Sequence, residues 1–570
     1  MKKEWKTYTP NFRLVEKVRA QLDCSPIMAK ILVNRRIYSG EKAAAFLNAS
    51  LNDMRPPFAI KDMDKAVRRI YDAIVQQEKI LIFGDYDADG ITATTMLSEF
   101  LQETGAAVSY YIPHRTNEGY GLRDTHISEY AAPNGIQLII TVDCGSGDHP
   151  AVEKANELGI DIIITDHHSV PNPPNAFAVI NPKRKDCAAG FSYFAGVGVA
   201  FALVVSLRKY LRDNGFWQNR PEPNLKNYCD LFALGTVADM VPLIDENRIL
   251  LKTGLEVINS ANRVGLEALL KISGLAHKEA DAEDIGFKLA PRLNAAGRMG
   301  HAHIAVELLM AKDSRQANQI AGTLDEMNCQ RQETEKRILA HILAYLDKNP
   351  GMLTRKTLVL AHPEWHEGVL GIVASRIVEK YFRPVFLISA KNGIGKGSGR
   401  SVPGVNLYES LSACSELFED FGGHAMAAGL QIRVENIRAF REKFEHTVEN
   451  MTTESHYSKI ISIDDELDFY HISERLADEL ETLKPFGTDN PEPLFMAHNV
   501  AVTYSKILNE NHRKMVLRQE KNKHSKSLMA IQFHINPSAP LPEHFEKIAF
   551  RVKWNRWQGR KDMQLIIEET

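Results

Sequence analysis

Three short hydrophobic segments of this chain each end in acidic or imidazole side chains, and this repetition constrains the fold more than any other feature. The segments span residues 79–84, 139–142 and 162–165, and they are short and β-branched, which is typical of buried strands. The residues at their ends are Asp85, Asp87 and Asp89, then Asp143, and then Asp166, His167 and His168. Ligands of an open parallel sheet bind at the carboxyl ends of its strands. We therefore expect the three strands to direct these side chains to one place.

The residue types at the strand ends predict a metal centre. Carboxylate and imidazole ligands without thiolates suit manganese or magnesium. Several carboxylates in one crevice repel one another unless cations lie between them, which favours two divalent ions. Asp239 is a further candidate ligand, because it lies in the otherwise apolar segment 235–242 and a buried carboxylate without a partner is costly. The alternative for Asp239 is a structural aspartate that caps a helix.

The spacing of Asp85, Asp87 and Asp89 also resembles the start of an EF-hand calcium loop. Such a loop needs a glutamate at its twelfth position, and that position, counted from Asp85, is Met96. The preceding segment is also a predicted strand, whereas an EF-hand loop follows a helix. The calcium-loop interpretation is therefore rejected. Cys144, inside the second cluster, is interpreted as a small packing residue, as free cysteines usually are.

Bulk properties limit the class of protein. A length of 570 residues suggests three or four domains. No apolar run reaches the roughly 18 residues of a membrane span. The six cysteines form no C-x-x-C pair, and no apolar core follows the N-terminal residues, so we expect a protein of the reducing cytoplasm. Residues 501–570 carry 13 Lys/Arg and 7 Asp/Glu although the whole chain has a net charge of −3. This asymmetry predicts a polyanionic partner bound by the C-terminal part, the alternative being chance clustering.

The pattern of elements predicts a multidomain α/β protein. Residues 314–349 keep a helical period, and a helix of about 36 residues would span roughly 54 Å and bridge two domains. Glycine-rich turns are predicted at 393–399 and 422–429, and about six strands after residue 455 predict a small OB-type barrel. The expected parts are an N-terminal helical cap (1–54), a doubly wound parallel-sheet domain (55–313), the connecting helix (314–350), a smaller α/β domain (351–452) and the all-β OB-like domain (453–570).

The order of the four acidic clusters resembles that of the DHH phosphoesterase superfamily. Six further blocks narrow the resemblance to the RecJ family of single-strand-specific DNA exonucleases. These blocks are residues 111–122, 291–298, 365–376, 397–401, 422–429 and 485–495. The third to fifth blocks resemble the DHH-associated domain, and the sixth resembles the start of the RecJ OB fold. The resemblance covers about residues 50–500, with no departure at the metal positions.

The resemblance implies a role for each of these residues. Two divalent ions, manganese or magnesium, would be bound by Asp87, Asp89, Asp143, His167 and Asp239, with Asp85 and His168 as ligands or as partners that orient them. The ions would activate a water molecule and stabilise the attacking and leaving oxygens of phosphodiester hydrolysis. A pocket for the 5′-terminal phosphate would be formed by Arg115, Arg298, Ser398 and Arg400. Arginines beside a glycine-rich turn suit phosphate, although an interdomain salt bridge is the alternative for Arg115 and Arg298.

Other residues of the same blocks are candidates for substrate contact. His424 follows Gly422 and Gly423, where the backbone can approach a ligand closely, and by resemblance it contacts the scissile phosphate. The further candidates are Arg292, Asn294 and Arg376. In the C-terminal part, Trp554 and Trp557 lie among basic residues, which suits stacked bases, although either could instead pack the barrel.

The implied activity is a 5′→3′ exonuclease that is specific for single-stranded DNA, releases 5′-mononucleotides and acts in recombination and repair. The implied partners are single-stranded DNA, a single-strand-binding protein and a RecQ-type helicase, with no membrane association and a monomeric state. One alternative is a DHH-family oligoribonuclease, cyclic-dinucleotide phosphodiesterase or pyrophosphatase, which would need no basic OB-like domain. The other is an inactive replication scaffold, and such proteins lose the metal ligands that this chain keeps.

Overall fold

A computed structural model describes residues 3–169, 172–508, 511–519, 526–536, 540–557 and 560–570, without the side chains of residues 454, 455 and 557. These residues form two compact units. The first unit comprises residue 3 and residues 56–239 and 254–459, and the second comprises residues 4–55, 240–253 and 460–570. All the predicted metal-binding and phosphate-binding residues lie in the first unit.

The N-terminal segment belongs to the second unit. Its elements are strand β1 (Lys3–Thr7) and helices α1 (Phe12–Leu22), α2 (Pro26–Asn34) and α3 (Gly40–Leu47), as the sequence predicted for the helices. Ser25 caps α2 by accepting a hydrogen bond from the Met28 amide, which satisfies a donor that the helix leaves free. Val18 and Ile31 share a hydrophobic core with Phe495 of the C-terminal part. The segment therefore completes the core of another part of the chain.

A five-stranded sheet forms the centre of the first unit. Its strands are β2 (Lys79–Gly84), β3 (Ala107–Tyr111), β4 (Leu138–Val142), β5 (Asp161–Thr165) and β6 (Ala178–Ile180), and the helices between them are α4 (Met63–Gln76, before β2), α5 (Ala88–Thr104) and α6 (His149–Glu157). The strand order is β3-β2-β4-β5-β6 and every neighbouring pair is parallel. The predicted doubly wound parallel sheet is confirmed. The chain moves to opposite sides of β2 after β2 and after β3, so the topological switch point lies between β2 and β4.

Both faces of this sheet are covered. Leu81, Phe83 and Ile139 point into one core, whereas Ile80 and Ile82 are buried on the opposite face, as the two-residue period of a strand requires. Helix α5 is buried on nearly all sides because α7 and α8 also pack against it. The N-terminus of α5 is therefore held rigidly at the end of β2.

Beyond β6 the first unit is helical, although the sequence predicted strand–helix alternation up to about residue 315. The helices are α7 (Gly196–Asp213), α8 (Cys229–Ala238), α9 (Asp245–Asn259), α10 (Val264–Ile272), α11 (Ala282–Asp284), α12 (Ala290–Met299) and α13 (His303–Met310). Residues 240–253, including the first part of α9, belong to the second unit. They lie within the stretch 55–313 that the sequence analysis assigned to one domain.

The predicted connecting helix is present as α14 (Ser314–Lys348), whose 35 residues give a length of about 52 Å. Ala317 and Leu324 lie buried in its first half, which packs against α10 and α12. Ile338 and Ile342 in its second half lie in the core of the smaller α/β domain. One helix thus contributes to two cores. Neither α14 nor any other helix in the described ranges is both long and apolar enough to cross a membrane.

The smaller α/β domain is built on a mixed five-stranded sheet. Its elements are β7 (Leu358–His362), α15 (Leu370–Tyr381), β8 (Val385–Lys391), β9 (Ile394–Arg400), α16 (Leu407–Ser412), β10 (Phe418–Gly423), β11 (Ala427–Arg433) and α17 (Ile437–Met451). The strand order is β10-β11-β9-β8-β7. The glycine-rich stretch 393–399 was predicted as a turn, but most of it is strand β9. A Cβ atom at Gly399 would lie 2.3 Å from the Phe386 ring, so the missing side chain makes room for the core.

The C-terminal part is a closed barrel. Its elements are β12 (Lys459–Ile463), β13 (Asp465–Glu466), α18 (Glu474–Glu481), β14 (Phe495–Leu508), β15 (His512–Gln519), β16 (Ser527–Gln532), β17 (His544–Trp557) and β18 (Arg560–Glu569). The sheet order β14-β15-β16-β18-β17 is closed by the additional pairing of β14 with β17. This five-stranded closure confirms the predicted OB-type barrel. The first of the six predicted strands, β12, pairs instead with β1.

Candidate metal centre and phosphate pocket

The acidic and imidazole side chains from the strand ends meet at the topological switch point. They form three groups, in each of which the potential ligand atoms lie within 4.8 Å of one another. The groups are Asp85, Asp87 and Asp143; Asp89, His167 and Asp239; and Asp143, His167 and His168. Asp143 belongs to two groups and His167 belongs to two, so the cluster is continuous and large enough for two ions.

Two helix N-termini hold the first acidic residues in place. Asp87 caps α5 by accepting hydrogen bonds from the amides of Asp89 and Gly90, at 3.0 and 3.2 Å. Asp89 accepts hydrogen bonds from the amides of Gly196 and Val197, at 2.6 and 2.7 Å, where α7 begins. Both interactions place a carboxylate at the positive end of a helix dipole. The remaining lone pairs of these carboxylates stay free to bind a cation.

Close backbone approach makes the cluster compact. A Cβ atom at Gly196 would lie 2.5 Å from the side chain of Asp143, and one at Gly235 would lie 2.4 Å from Thr92 Oγ1. Asp143 itself has a φ of 63°, in the left-handed region that non-glycine residues rarely adopt. Its amide donates to the Thr165 carbonyl at 2.9 Å, which fixes this turn against the end of β5. Such strain is characteristic of functional sites.

Asp239 occupies the C-terminal end of α8, where a carboxylate cannot cap the free carbonyls and opposes the helix dipole. Its Oδ2 lies 3.6 Å from His167 Nε2, and the same nitrogen lies 3.1 Å from Asp143 Oδ1. Asp239 is thus the residue at which α8 ends, as the helix-capping alternative expected, and its carboxylate also belongs to the acidic cluster.

The electrostatics of the acidic cluster favour the binding of cations. Burial, followed by the charge of Asp87, holds the pKa of Asp85 well above its usual value and raises that of Asp89 to about 7. Burial and neighbouring carboxylates also raise the pKa of Asp239 to about 8 and that of Asp143 well above the ordinary range. Positive ions among the carboxylates would reverse this effect.

Buried atoms without hydrogen-bond partners provide a second test of the fit to metal ions. In the described part of the chain, Asp85 Oδ1, Asp143 Oδ1 and both ring nitrogens of His167 lack such partners. Burial and the charge of His168 lower the pKa of His167 to about 3, so its ring is neutral and its nitrogens can bind a metal. Oxygen ligands with one imidazole suit manganese or magnesium. The residues therefore fit the predicted ions.

Asp166 has a structural role beside the cluster. Its Oδ1 accepts hydrogen bonds from the amides of His167 and His168 and from His168 Nδ1, the last at 2.8 Å. Although burial opposes it, the hydrogen bond from His168 lowers the pKa of Asp166 below its ordinary value. Conversely, despite burial, Asp166 raises the pKa of His168 to about 9. Asp166 thus orients the His168 ring.

A cluster of three arginines adjoins the metal cluster. Arg115 lies over the ring of Tyr86, 4.7 Å from its centroid, and Tyr86 stands between Asp85 and Asp87 in the chain. Arg298 and Arg400 donate to the main-chain carbonyls of Gly368 and Gly399, at 3.0 and 2.8 Å. In the described ranges none of the three forms a salt bridge with a carboxylate, so the interdomain salt bridge considered for Arg115 and Arg298 is wrong.

These arginines also affect one another. Burial, followed by the charge of Arg115, lowers the pKa of Arg298 to about 9 and lowers that of Arg400. Ser398 lies within the same group, since a Cβ atom at Gly371 would contact both Ser398 Oγ, at 2.9 Å, and Arg400, at 2.8 Å. Cations held this close, without a carboxylate in direct contact, suit an anion such as phosphate.

Family models match three parts of the chain. Residues 79–236 match the N-terminal domain of the DHH family, residues 354–450 match the DHHA1 domain, and residues 463–569 match the RecJ OB domain. The single-stranded-DNA-specific exonuclease RecJ of Bacillus subtilis is 37% identical over 576 residues, which cover 100% of this chain and 71% of that protein.

The chain belongs to the RecJ family.

Two solved RecJ structures from Thermus thermophilus, each with a bound metal, are similar to this chain in fold. RecJ in complex with Mn²⁺ matches with a TM-score of 0.84 at 30% identity, covering 100% of this chain and 79% of that one. RecJ in complex with Mg²⁺ matches with a TM-score of 0.76 at 28% identity, covering 100% and 78%. As a member of the RecJ family, the chain is a metal-dependent nuclease, and its acidic cluster could hold the divalent ions.

Three predicted substrate-binding residues have other partners. Arg292 donates to Asp325 Oδ1 of α14 at 2.8 Å, and Arg376 donates to Glu335 Oε1 at 3.0 Å. Both arginines thus connect helices. Asn294 Oδ1 accepts a hydrogen bond from the Ala88 amide at 2.9 Å. Asn294 therefore fixes the N-terminus of α5, beside Asp87 and Asp89.

Of the two tryptophans predicted to stack on bases, the structure describes the side chain of Trp554. Trp554 packs partly against the barrel core, and its Nε1 donates to Asp478 at 3.0 Å. The Lys561 ammonium lies 3.9 Å from the centroid of the same ring. These contacts match the packing alternative for Trp554. The side chain of Trp557 lies outside the described part of the chain.

Sequence reasoning did not single out two tyrosines of the site. The Tyr120 hydroxyl donates to the Asp143 carbonyl at 2.9 Å and lies 3.1 Å from His168 Nδ1. The ring of Tyr86 is in contact with the guanidinium group of Arg115. Both residues lie within recognised motifs, and their position in those motifs was the available signal. Their aromatic character alone predicts packing, so only the three-dimensional contacts identify their roles.

Proposed function

We propose that this protein degrades single-stranded DNA from its 5′ end and releases 5′-mononucleotides by two-metal-ion hydrolysis. The observation that carries the proposal is the position of the arginine cluster beside the acidic cluster, connected through the Arg115–Tyr86 contact. A terminal phosphate bound by these arginines would place the first phosphodiester of the strand at the metals. The 5′ polarity follows the resemblance to the RecJ family.

The proposed roles of the residues follow their surroundings. The ions, when bound, supply an activated water molecule and stabilise negative charge on the leaving oxygen. His167 and the carboxylates of Asp85, Asp87, Asp89, Asp143 and Asp239 would hold them. Arg115, Arg298, Ser398 and Arg400 would bind the 5′ phosphate. His424, which is exposed beside His168, would contact the scissile phosphate. Asn294, Asp166 and Tyr120 would position the metal ligands.

The proposal assigns catalysis to residues 55–313, phosphate recognition to residues 351–452 together with Arg115 and Arg298, and strand binding to the barrel in residues 453–570. The excess of Lys/Arg over Asp/Glu in residues 501–570, 13 against 7, supports a polyanionic ligand for the barrel. By family resemblance we also propose that the enzyme is cytoplasmic and monomeric and that it acts in recombination and repair. Its partners would be a single-strand-binding protein and a RecQ-type helicase.

The decisive experiment is digestion of a single-stranded oligonucleotide in manganese, with labels at each end in separate reactions. The proposal predicts early release of the 5′-labelled mononucleotide and gradual shortening of the 3′-labelled strand. Cleavage of dinucleotides alone would assign the protein to small-substrate hydrolysis. Absence of any cleavage, with Mn²⁺ binding intact, would favour a scaffold.

A further inference from the structure

An acidic side chain lines the phosphate pocket among the basic ones. The cavity beside the arginine cluster is lined by Arg115 and Ser398 and also by Glu367 and Lys396. Glu367 lies in the turn before α15 and forms a salt bridge of 3.2 Å with Lys396 of β9. The Lys396 ammonium also donates to the Thr116 carbonyl at 3.2 Å, next to Arg115. The carboxylate is therefore held at the wall of a pocket that otherwise attracts anions.

The size of the cavity limits the group that can enter it. Its volume is about 110 Å³. A water molecule needs about 10–15 Å³ of volume measured in this way, so the cavity has room for roughly 7–11 atoms of water size. A 5′-monophosphate adds one phosphorus and three oxygens beyond its bridging oxygen, and these four atoms fit in this space. A 5′-triphosphate adds three times as many atoms, so its outer phosphates would have to lie against the cavity wall or outside it.

The charges around the cavity, like its size, disfavour a 5′-triphosphate. Arg115, Arg298 and Arg400 can balance the charge of one phosphate group, and Lys396 is already paired with Glu367. Additional phosphates in this cavity would approach the Glu367 carboxylate, which lines it together with Ser398, and the approach of like charges is unfavourable. The simplest alternative is that Glu367 has a purely structural role and only holds Lys396 in place. That explanation predicts no effect of the Glu367 charge on the choice of strand end.

We propose that Glu367 is a specificity-determining residue that restricts the pocket to strands with a 5′-monophosphate and rejects strands with a 5′-triphosphate. This inference rests on the proposed function, because it assumes that the pocket binds the 5′ end. Hydrolysis leaves the scissile phosphate on the shortened strand, so every later substrate carries a 5′-monophosphate. The selection therefore acts only on the first nucleotide released from each strand.

The test is release of the first nucleotide under single-turnover conditions in manganese. Otherwise identical single strands carry a 5′-monophosphate or a 5′-triphosphate, and the enzymes are the full-length chain, Glu367→Gln and Glu364→Gln. We expect the natural chain to prefer the monophosphate by at least about tenfold, and Glu367→Gln to reduce that preference by at least about threefold. Glu364→Gln is the matched control, because Glu364 is exposed in the same loop and does not line the pocket.

Each outcome has a defined meaning. Failure of the natural chain to shorten a monophosphorylated strand from its 5′ end would contradict the proposed function itself. Normal shortening with equal use of both ends, or with an unchanged preference in Glu367→Gln, would overturn only the inference. If Glu367→Gln proves unstable on heating, Lys396→Gln provides an independent test. Loss of that cation leaves Glu367 uncompensated, so the preference for the monophosphate should increase, and an unchanged or reduced preference would overturn the inference.

Discussion

The imidazole ring of His424 lies nearly parallel to that of His168, with 5.8 Å between the ring centroids and 14° between the planes. His168 follows β5 of the parallel sheet, whereas His424 follows β10 of the smaller α/β domain. The His424 amide donates to the Ala427 carbonyl at 2.8 Å, which fixes the hairpin that presents the ring. Because both histidines lie in the first compact unit, the metal centre and this hairpin face the same space.

This relationship predicts that His424→Ala loses catalysis without losing metal binding. The ring approaches His168 but belongs to none of the groups that could hold an ion. We expect kcat to fall by roughly 100-fold, the scale of a lost catalytic contact, with Mn²⁺ affinity unchanged. Steady-state kinetics and calorimetric Mn²⁺ titration check the two parts. His446→Ala, which removes a surface imidazole from α17, should retain full activity. Reduced Mn²⁺ affinity in His424→Ala would contradict the assignment.

A second prediction concerns Asp143, which contributes to two of the three potential ligand groups. Asp143→Asn removes a buried charge that neighbouring carboxylates repel, so without metal the variant should be at least as heat-stable as the natural chain. The natural chain should gain about 2.7 kcal/mol of unfolding free energy at a Mn²⁺ concentration 100 times the dissociation constant. The variant should lose most of that gain together with its nuclease activity. Thermal unfolding with and without Mn²⁺ measures both, and an undiminished gain in the variant would exclude Asp143 as a ligand.

Much of the metal centre was predictable, because local patterns determine it. A β-branched run followed by aspartates specifies a strand end, and parallel strands bring such ends to one edge of the sheet. Asp85, Asp143 and His167 could therefore be placed together from the sequence. The partners of Arg292 could not be predicted in the same way. Its contact with Asp325 joins α12 to α14, and no local pattern encodes which helices pack together.

Other differences arise from long-range packing. The glycines of β9 predict a turn locally, but the core side chain of Phe386 occupies the space that they leave. The N-terminal helices were predicted to form a separate cap. Their sequence shows that they are amphipathic, but it does not show which residues pack against their apolar faces. Their partners, such as Phe495, lie more than 400 residues away in the chain. Local propensity thus identified the N-terminal helices correctly and could not specify their neighbours.

Gly196→Ala should disturb the metal centre through packing alone. The added methyl group would lie 2.5 Å from Asp143, and it would push against the amides that bind Asp89. We expect a loss of about 1–3 kcal/mol of unfolding free energy and weaker Mn²⁺ binding. Gly322→Ala in α14 is the control, because a Cβ atom there has no neighbour within 4 Å. That variant should be stabilised by about 0.5–1 kcal/mol. Chemical denaturation compares the two, and equal effects would rule out the steric argument.

Tyr86 should act through its ring, since the Arg115 guanidinium lies over the ring face. Tyr86→Leu removes the cation–π contact, which is worth about 0.5–2 kcal/mol. We expect KM for a 5′-phosphorylated strand to rise by about 2–30-fold, with a smaller effect on a strand that ends in a 5′ hydroxyl. Tyr86→Phe keeps the ring and should stay close to the natural enzyme. Equal rises in KM for both strand ends would show that Tyr86 does not act through phosphate binding.

Arg248 should be essential for the second unit, where it is 1% exposed. Its guanidinium donates to the carbonyls of Phe46 and Lys484, each at 2.7 Å, and lies 3.8 Å from the Phe46 ring centroid. It thereby joins α9 to the N-terminal helices and to the segment before the barrel. Arg248→Met would leave buried carbonyls without a donor, at a cost of about 1–3 kcal/mol each.

We therefore expect Arg248→Met to destabilise the second unit by at least about 3 kcal/mol while the metal centre keeps its structure. Amide hydrogen exchange measures the two units separately in the full-length chain. Exchange should accelerate in α2 and β14, and β2 and β4 should stay protected. Arg13→Met, at an exposed position of α1, is the control and should change stability by no more than about 0.5 kcal/mol. Unchanged protection of α2 in Arg248→Met would show that the N-terminal helices are held by the hydrophobic core alone.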